Sequence, residues 1–221
     1  MDMLTKVMQR VSESLAAGLI TPALRQSARV RVLKPRHAPA MLRHLLALPE
    51  RDRYLRFGYL PTAEQIERFV ARLDHGQCTL FGIFDDQLEL LGVAQLSYIA
   101  KHHQANTAEF GVSVGVNYRG MRFGRALFNR CMAHARNQGV QHLVVHALSE
   151  NATMIQMARS AGATIERDGG DSMAHIKLPP PTFNTMWQAT LYDRWARTDY
   201  YAKRIHRSTT RCLSRLGLRF Q

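Results

Sequence analysis

The chain has 221 residues, 46% of them hydrophobic, which is enough for one globular domain with extensions and a full core. Its formal net charge of +13 favours anionic partners, nucleic acid, acidic protein and anionic lipid among them. No apolar stretch is long enough to span a bilayer, and Cys78, Cys131 and Cys212 stand too far apart for a CxxC pair or a disulfide framework, so a reducing compartment, the cytoplasm, is expected.

Residues 1–27 carry Leu4, Val7, Met8, Val11 and Leu15 at helical spacing, which predicts a short amphipathic extension. The start also lacks the compact apolar core of a secretory signal. Ala28 to Leu33 alternates Val30 and Val32 with Arg29 and Arg31, a strand pattern. Pro39 then stands near a helix start; Met41, Leu42, Leu45 and Leu46 give that helix an apolar face, and Pro49 ends it. A second helix is expected from Thr62 to Gly76, with Thr62 and Gln65 as a capping box and Ile66, Phe69, Val70 and Leu73 in period. The connection between the two, Arg51 to Tyr59, is rich in arginine and aromatic residues. Leu55 and Phe57 can serve as core anchors there, or the segment can carry specificity, as loops often do.

Thr79 to Phe84 and Leu88 to Tyr98 read as a hairpin about Asp85-Asp86-Gln87. A loop from Lys101 to Thr107 follows, with His102 and His103 lacking a third ligand nearby, so no metal site is expected. Ala108 to Val114 is a strand. A helix from about 123 to 138 puts Leu127, Phe128, Cys131, Met132 and Ala135 on one face and stops at Gly139. Gln141 to Leu148 is β-rich, Asn151 to Ser160 is helical, and Ala163 to Glu166 with Met173 to Leu178 closes as a hairpin. Pro179-Pro180-Pro181 is a stiff linker. Beyond it Trp187, Leu191 and Trp195 recur at helical spacing, and Lys203 with seven arginines faces only Asp193 and Asp199. The domain plan is therefore an extension at 1–27, a core domain at 28–180 and a basic helical extension at 181–221. The fold class is α/β of the α+β kind, a mostly antiparallel central sheet flanked by helices.

The most informative segment is Tyr118-Arg119-Gly120-Met121-Arg122-Phe123-Gly124-Arg125. It joins a strand to a helix N-terminus. Free N–H groups and the positive end of the helix dipole converge there, glycine admits a close ligand, and Arg119, Arg122 and Arg125 add charge. The expected ligand carries phosphate; a plain tight turn with solvated arginines is the alternative.

This run resembles the acyl-CoA signature of GNAT-type N-acetyltransferases, Arg/Gln-x-x-Gly-x-Gly/Ala, with Arg119 leading and Gly124 closing it. Arg122 stands where the family usually has its first Gly. Asn151-Ala152-Thr153-Met154 followed by Ala161-Gly162-Ala163 resembles the family's next helix and its terminating Gly. Two such motifs in the right order are more specific than one Gly-rich turn. Tyr54-Leu55-Arg56-Phe57, and the absence of Tyr from the 151–162 helix, resemble more weakly the acetyltransferase module of bacterial protein-lysine acetyltransferases.

The resemblance implies acetyl transfer from acetyl-CoA to an amine, on a small molecule or a protein lysine, by direct attack. The CoA site implied is Val112, Ser113, Val114, Arg119, Gly120, Arg122, Phe123, Gly124, Arg125 and Asn151. Glu109 is implied as the base, and Tyr54, Arg56 and Phe57 border the acceptor. The family's usual general acid, a Tyr, is replaced by Ala158. No metal is implied, and a monomer or homodimer is expected, with an anionic partner open to the basic tail. A CoA-binding or nucleic-acid-binding module with little catalysis is the competing expectation; salt-sensitive RNA or DNA binding without turnover would mark it.

Overall fold

The computed structural model describes residues 29–101, 104–183, 185–187, 198 and 200. In chain order they form β1 (Arg31–Val32), a 3-10 turn (Pro35–His37), α1 (Ala38–Leu46), α2 (Glu50–Phe57), α3 (Ala63–Ala71), β2 (Cys78–Phe84), β3 (Leu90–Lys101) and β4 (Gln104–Val114). A second 3-10 turn (Val116–Tyr118) leads to α4 (Phe123–Asn137), β5 (His142–Leu148), α5 (Ala152–Arg159), β6 (Thr164–Asp168) and β7 (Asp171–Lys177). The seven strands make one sheet in the order β1-β2-β3-β4-β5-β7-β6. All neighbouring pairs are antiparallel except β4–β5.

Period-2 alternation sends each strand's apolar residues to two separate cores. On one face Leu96, Ala108, Phe110, Leu143 and Val145 meet Leu127, Phe128, Cys131 and Ala135 of α4 and Met154, Met157 and Ala158 of α5. The Phe110 and Phe128 rings meet edge-on at 5.0 Å, worth about 1 kcal/mol beyond the area they bury. On the other face Leu80 and Val93 meet Met41 and Leu45 of α1 and Ile66 and Val70 of α3. Since Ala108 and Phe110 point to α4, Glu109, Gly111 and Ser113 point to the opposite face, which carries the chemistry described below.

The Thr62–Gln65 capping box forms in both directions, at 2.8 and 3.3 Å. Several expectations need correcting. The connection at 51–59 is a helix, α2, with no fully buried residue. Its charges, Glu50, Arg51, Asp52, Arg53 and Arg56, hide any apolar period. Its support comes from its ends: acidic residues in the first turn, Arg56 in the last, and Gly58 at φ 78° closing it. Helix α3 stops at Ala71 rather than running to Gly76, and Asp74 Oδ1 instead accepts from Gly76 N–H at 2.7 Å to make a turn. The loop expected over 101–107 is mostly strand, since β3 and β4 pair out to Lys101 and Gln104. Only Arg31 and Val32 of the first expected strand pair with β2.

The chain past the three prolines stays on the domain where it is described. Arg136 Nε donates to Pro180 O at 2.9 Å and Asn137 Nδ2 to Thr185 O at 3.1 Å. The Arg31 guanidinium lies 3.6 Å over the Tyr200 ring, which is also edge-on to His37 and Phe84. Trp187 is exposed and meets Phe183 edge-on. The extension at 1–27, the His102-His103 pair, Leu191, Trp195 and the basic stretch 203–219 lie outside the described residues.

His37 in this cluster is 4% exposed. Burial first, then the Arg31 charge, lowers its pKa from 6.5 to about 4. Above pH 6.5 the ring is neutral both folded and unfolded. Between pH 6.5 and 4 only the unfolded chain takes up the proton, so stability falls with pH and levels off below about 4. The expected loss is up to about 3 kcal/mol. Denaturant unfolding of wild type and His37→Phe at pH 7 and 4.5 checks this; the variant should lose distinctly less stability on acidification than wild type does.

Candidate active site

The turn after β4 leaves the N-terminus of α4 without a side-chain cap. Gly120 lies at φ 74° and Arg122 at φ 62°, the left-handed region that a non-glycine residue enters at a cost of about 1 kcal/mol. Arg122 thus adopts a glycine-like backbone at the N-cap of α4, with no side chain capping the helix. Backbone bonding along α4 starts with Ala126 N–H to Arg122 O at 3.0 Å. The amides of Phe123, Gly124 and Arg125 are therefore first-turn donors without an intrahelical acceptor. A Cβ on Gly124 would meet only Val114 Cγ2, at 3.8 Å. The packing of the chain itself does not require glycine there, and the space beside the backbone is open. Arg122 and Arg125 are exposed at this mouth. Arg119 is ion-paired with Asp52 of α2. At the other end of the same opening Arg51 Nη2 stands 3.8 Å from Glu150 Oε2, in the loop after β5.

Behind the turn the sheet opens. β4 and β5 pair only from Thr107↔His142 to Glu109↔Val144, although both strands continue. The β3–β4 ladder shows which backbone groups face the opening. Gly115 N–H bonds Leu91 O at 2.9 Å, and alternation then turns the backbone of Ser113, Gly111 and Glu109 toward β3. The N–H and C=O groups of Val112 and Val114 point the other way, into the gap. Ser113, grouped with them on sequence, is directed elsewhere. Its Oγ lies 2.9 Å from His44 Nε2, while His44 Nδ1 lies 3.1 Å from Leu90 O. A carbonyl can only accept, so Nδ1 carries the proton and Ser113 O–H donates to Nε2. Burial lowers the His44 pKa and keeps this neutral form. Asn151 follows β5 and caps α5, its Oδ1 accepting from Met154 N–H at 3.2 Å.

Glu109 lies in the middle of β4 rather than at its start, at the last paired position before the gap. On its face the Arg56 guanidinium from α2 donates to Gln95 Oε1 at 3.0 Å. Burial weighs against the Arg56 charge and the Glu109 carboxylate works for it. A Cβ on Gly111 would lie 2.9 Å from the Arg56 guanidinium carbon, so this approach needs glycine. Ser97 stands directly opposite Glu109 and donor Gln95 Nε2 reaches Ser97 Oγ at 2.9 Å. Phe57 packs against Tyr59 and Phe69, and Tyr54 is exposed on α2. A pocket of about 510 Å³ opens over Gln95 and Ser97, walled by α3 and Tyr59. Among the described residues no cluster of His, Cys, Asp or Glu could hold a metal ion.

An uncapped helix N-terminus, a split between parallel strands and a carboxylate at the foot of the split thus follow one another along the chain from α4 back through β4. The family model described as "Acetyltransferase (GNAT) domain" matches residues 28–164, more than half of the chain. The chain belongs to the GNAT acetyltransferase family. Among curated proteins it is similar to acetyltransferase Pat of Mycolicibacterium smegmatis, 28% identical over 89 residues, covering 40% of this chain and 27% of that protein. The chain therefore matches only about a quarter of that relative's length. Among solved structures it is similar to the GNAT domain of S. lividans PAT, with TM-score 0.58 and 21% identity over 67% of this chain and 89% of that one. The structure of yncA from Salmonella typhimurium with its cofactor acetyl-CoA matches with TM-score 0.54 and 15% identity over 69% and 95%. Both structural likenesses show the GNAT fold.

Gln95, Ser97, Asp52 and His44 escaped sequence reasoning. Gln95 and Ser97 had a signal, two polar residues on one side of the run Leu91 to Tyr98. His44 had one too, a titratable side chain on the apolar face with Met41 and Leu45. Asp52 had none, because its partner Arg119 is remote in sequence.

Proposed function

We propose that this domain is an N-acetyltransferase that moves the acetyl group of acetyl-CoA to an amine on a small molecule or a protein lysine. The observation that carries this is the β4–β5 gap, which runs from the uncapped N-terminus of α4 to Glu109 and is edged by the free backbone groups of Val112 and Val114. The amides of Phe123, Gly124 and Arg125 would hold the pyrophosphate, with Arg122 and Arg125 adding charge. Val112, Val114 and Asn151 Nδ2 would hold the pantetheine arm. Acetyl-CoA, when bound, supplies the activated acetyl group and a thiolate leaving group.

The remaining work falls to the chain. Glu109 would take the proton of the attacking amine, directly or through water. The Val114 amide would donate to the carbonyl oxygen as charge develops there, a contribution of about 3 kcal/mol in comparable sites. Arg56, Tyr54 and Phe57 would shape the approach of the acceptor. Ala158 is 1% exposed in the core beneath α5, so no acid is offered from the position that usually holds Tyr. A thiolate can leave without one.

The test is a panel of amines and lysine peptides incubated with acetyl-CoA and the full chain, with acetylated products read by mass spectrometry and free thiol by a colorimetric assay. Product that requires both protein and amine is the expected result. CoA binding with no acetylated amine in a broad panel would overturn the enzyme reading.

A further inference from the structure

The pocket beside Glu109 is electrically polarised, and this bears on what it accepts. Its floor is Gln95 and Ser97 of β3. Its outer wall carries Arg68 and Arg72, one helical turn apart at the end of α3, with Asp74 just beyond. Ser97 and Glu109 are opposite one another in the β3–β4 ladder and share a face, so their Cβ atoms stand about 5 Å apart. The pocket therefore has two guanidinium groups at its helix side, and the Glu109 carboxylate lies just past its Ser97 floor, outside the lining.

Neighbouring charges reduce this polarity but leave the guanidinium forks of the wall in place, Glu64 being coupled to Arg68. Arg56 is turned to Gln95 and Glu109. Asp74 spends Oδ1 on Gly76 N–H. Burial raises the pKa of Cys78 and Tyr98, which line the same pocket, and keeps both neutral. Arg68 Nε donates to Glu64 O at 3.3 Å, and its two terminal nitrogens have no hydrogen-bond partner among the described residues. Among the described residues the Arg72 side chain has no hydrogen-bond or ion-pair partner. Among the lining residues Arg68 and Arg72 outnumber Asp74 by one charge, with Glu64 outside the lining coupled to Arg68.

We propose that the acceptor is a small amino acid-type molecule, a primary amine that also carries a carboxylate. The carboxylate would be taken by Arg72 and Arg68, whose guanidinium forks match it, and the amine would be directed to Glu109. A volume of about 510 Å³ has room for such a molecule. A purely cationic amine, or a lysine in a basic peptide, would bring like charge to the arginine wall. The inference rests on the acetyltransferase reading and narrows it.

The experiment uses the full chain and acetyl-CoA with matched acceptors: α- and ω-amino acids, each against its primary amide and methyl ester, compared at equal concentration of unprotonated amine. The free acids should exceed their amides and esters in kcat/KM by at least about tenfold, through KM. Arg72→Gln with Arg68→Gln should remove that preference by raising KM for the acids about tenfold while leaving KM for the amides within about twofold. Both side chains are exposed, so the melting temperature should hold. Transfer to acids and amides alike, transfer only to lysine peptides, or an unchanged preference in the double variant would overturn the inference and leave the enzyme reading standing. Absence of transfer to any amine would overturn both.

Discussion

Glu109→Gln should lower turnover about 10²-fold or more while CoA affinity stays within about twofold of wild type. The substitution keeps the shape of the side chain and removes its basicity, so the pairing Ser97↔Glu109↔Val144 that holds it in the sheet should survive. Arg56 would lose the carboxylate that supports its charge but keep its bond to Gln95 Oε1. A base acts on the amine, so the loss belongs in kcat rather than in donor binding. Steady-state kinetics with calorimetry of CoA binding separates the two. A fall in turnover below about threefold would leave Glu109 as a bystander on the strand. Loss of CoA affinity along with activity would instead point to a disturbed gap. Gly111 offers a control, because a Cβ there would push on Arg56 without touching the carboxylate directly.

The sheet was legible because its strands are apolar and alternate. Phe81, Ala94, Leu96 and Phe110 leave little freedom over which face is buried. Helices α3 and α4 were legible because an apolar stripe and an end signal coincided, the Thr62–Gln65 box in one and Gly139 in the other. Helix α2 was not, since it buries no residue fully and is held by charge placement at its ends and by the Arg119–Asp52 pair. Such pairs join residues far apart in the chain, and no local pattern records them.

The site divides in the same way. The turn at 119–125 was readable as a motif, and the backbone of Arg122 shows how an arginine can occupy a place usually given to glycine. The role of each β4 residue was not readable, because it depends on the phase of the β3–β4 ladder. A shift of one residue would exchange Ser113 with Val112 and Val114 at the gap. The pocket wall of Arg68 and Arg72 was hidden for another reason: two exposed arginines on a helix look like any solvated face until the pocket beside them is seen.

Gly124→Glu should weaken CoA binding by at least about tenfold, or 1.4 kcal/mol, measured by calorimetry. The position lies in the first turn of α4, where unbonded amides and the helix dipole favour an anion. A glutamate there works against the ligand twice. Its side chain fills the open space beside the turn, and its charge opposes the pyrophosphate. Two like charges about 4 Å apart repel by about 1 kcal/mol in bulk water and about 4 near a protein surface, so tenfold is the low end of the expected loss. Gly124→Ala separates the two causes. Its Cβ would make only an ordinary contact with Val114 Cγ2, so the fold should hold, and any loss of affinity measures the space alone. The charge component should shrink as salt is added, because the turn is open to solvent, whereas the steric component should not. A folded Gly124→Glu protein that binds CoA as wild type does would move the pyrophosphate away from this turn, and with it the line of donors that leads through Val114 to Glu109.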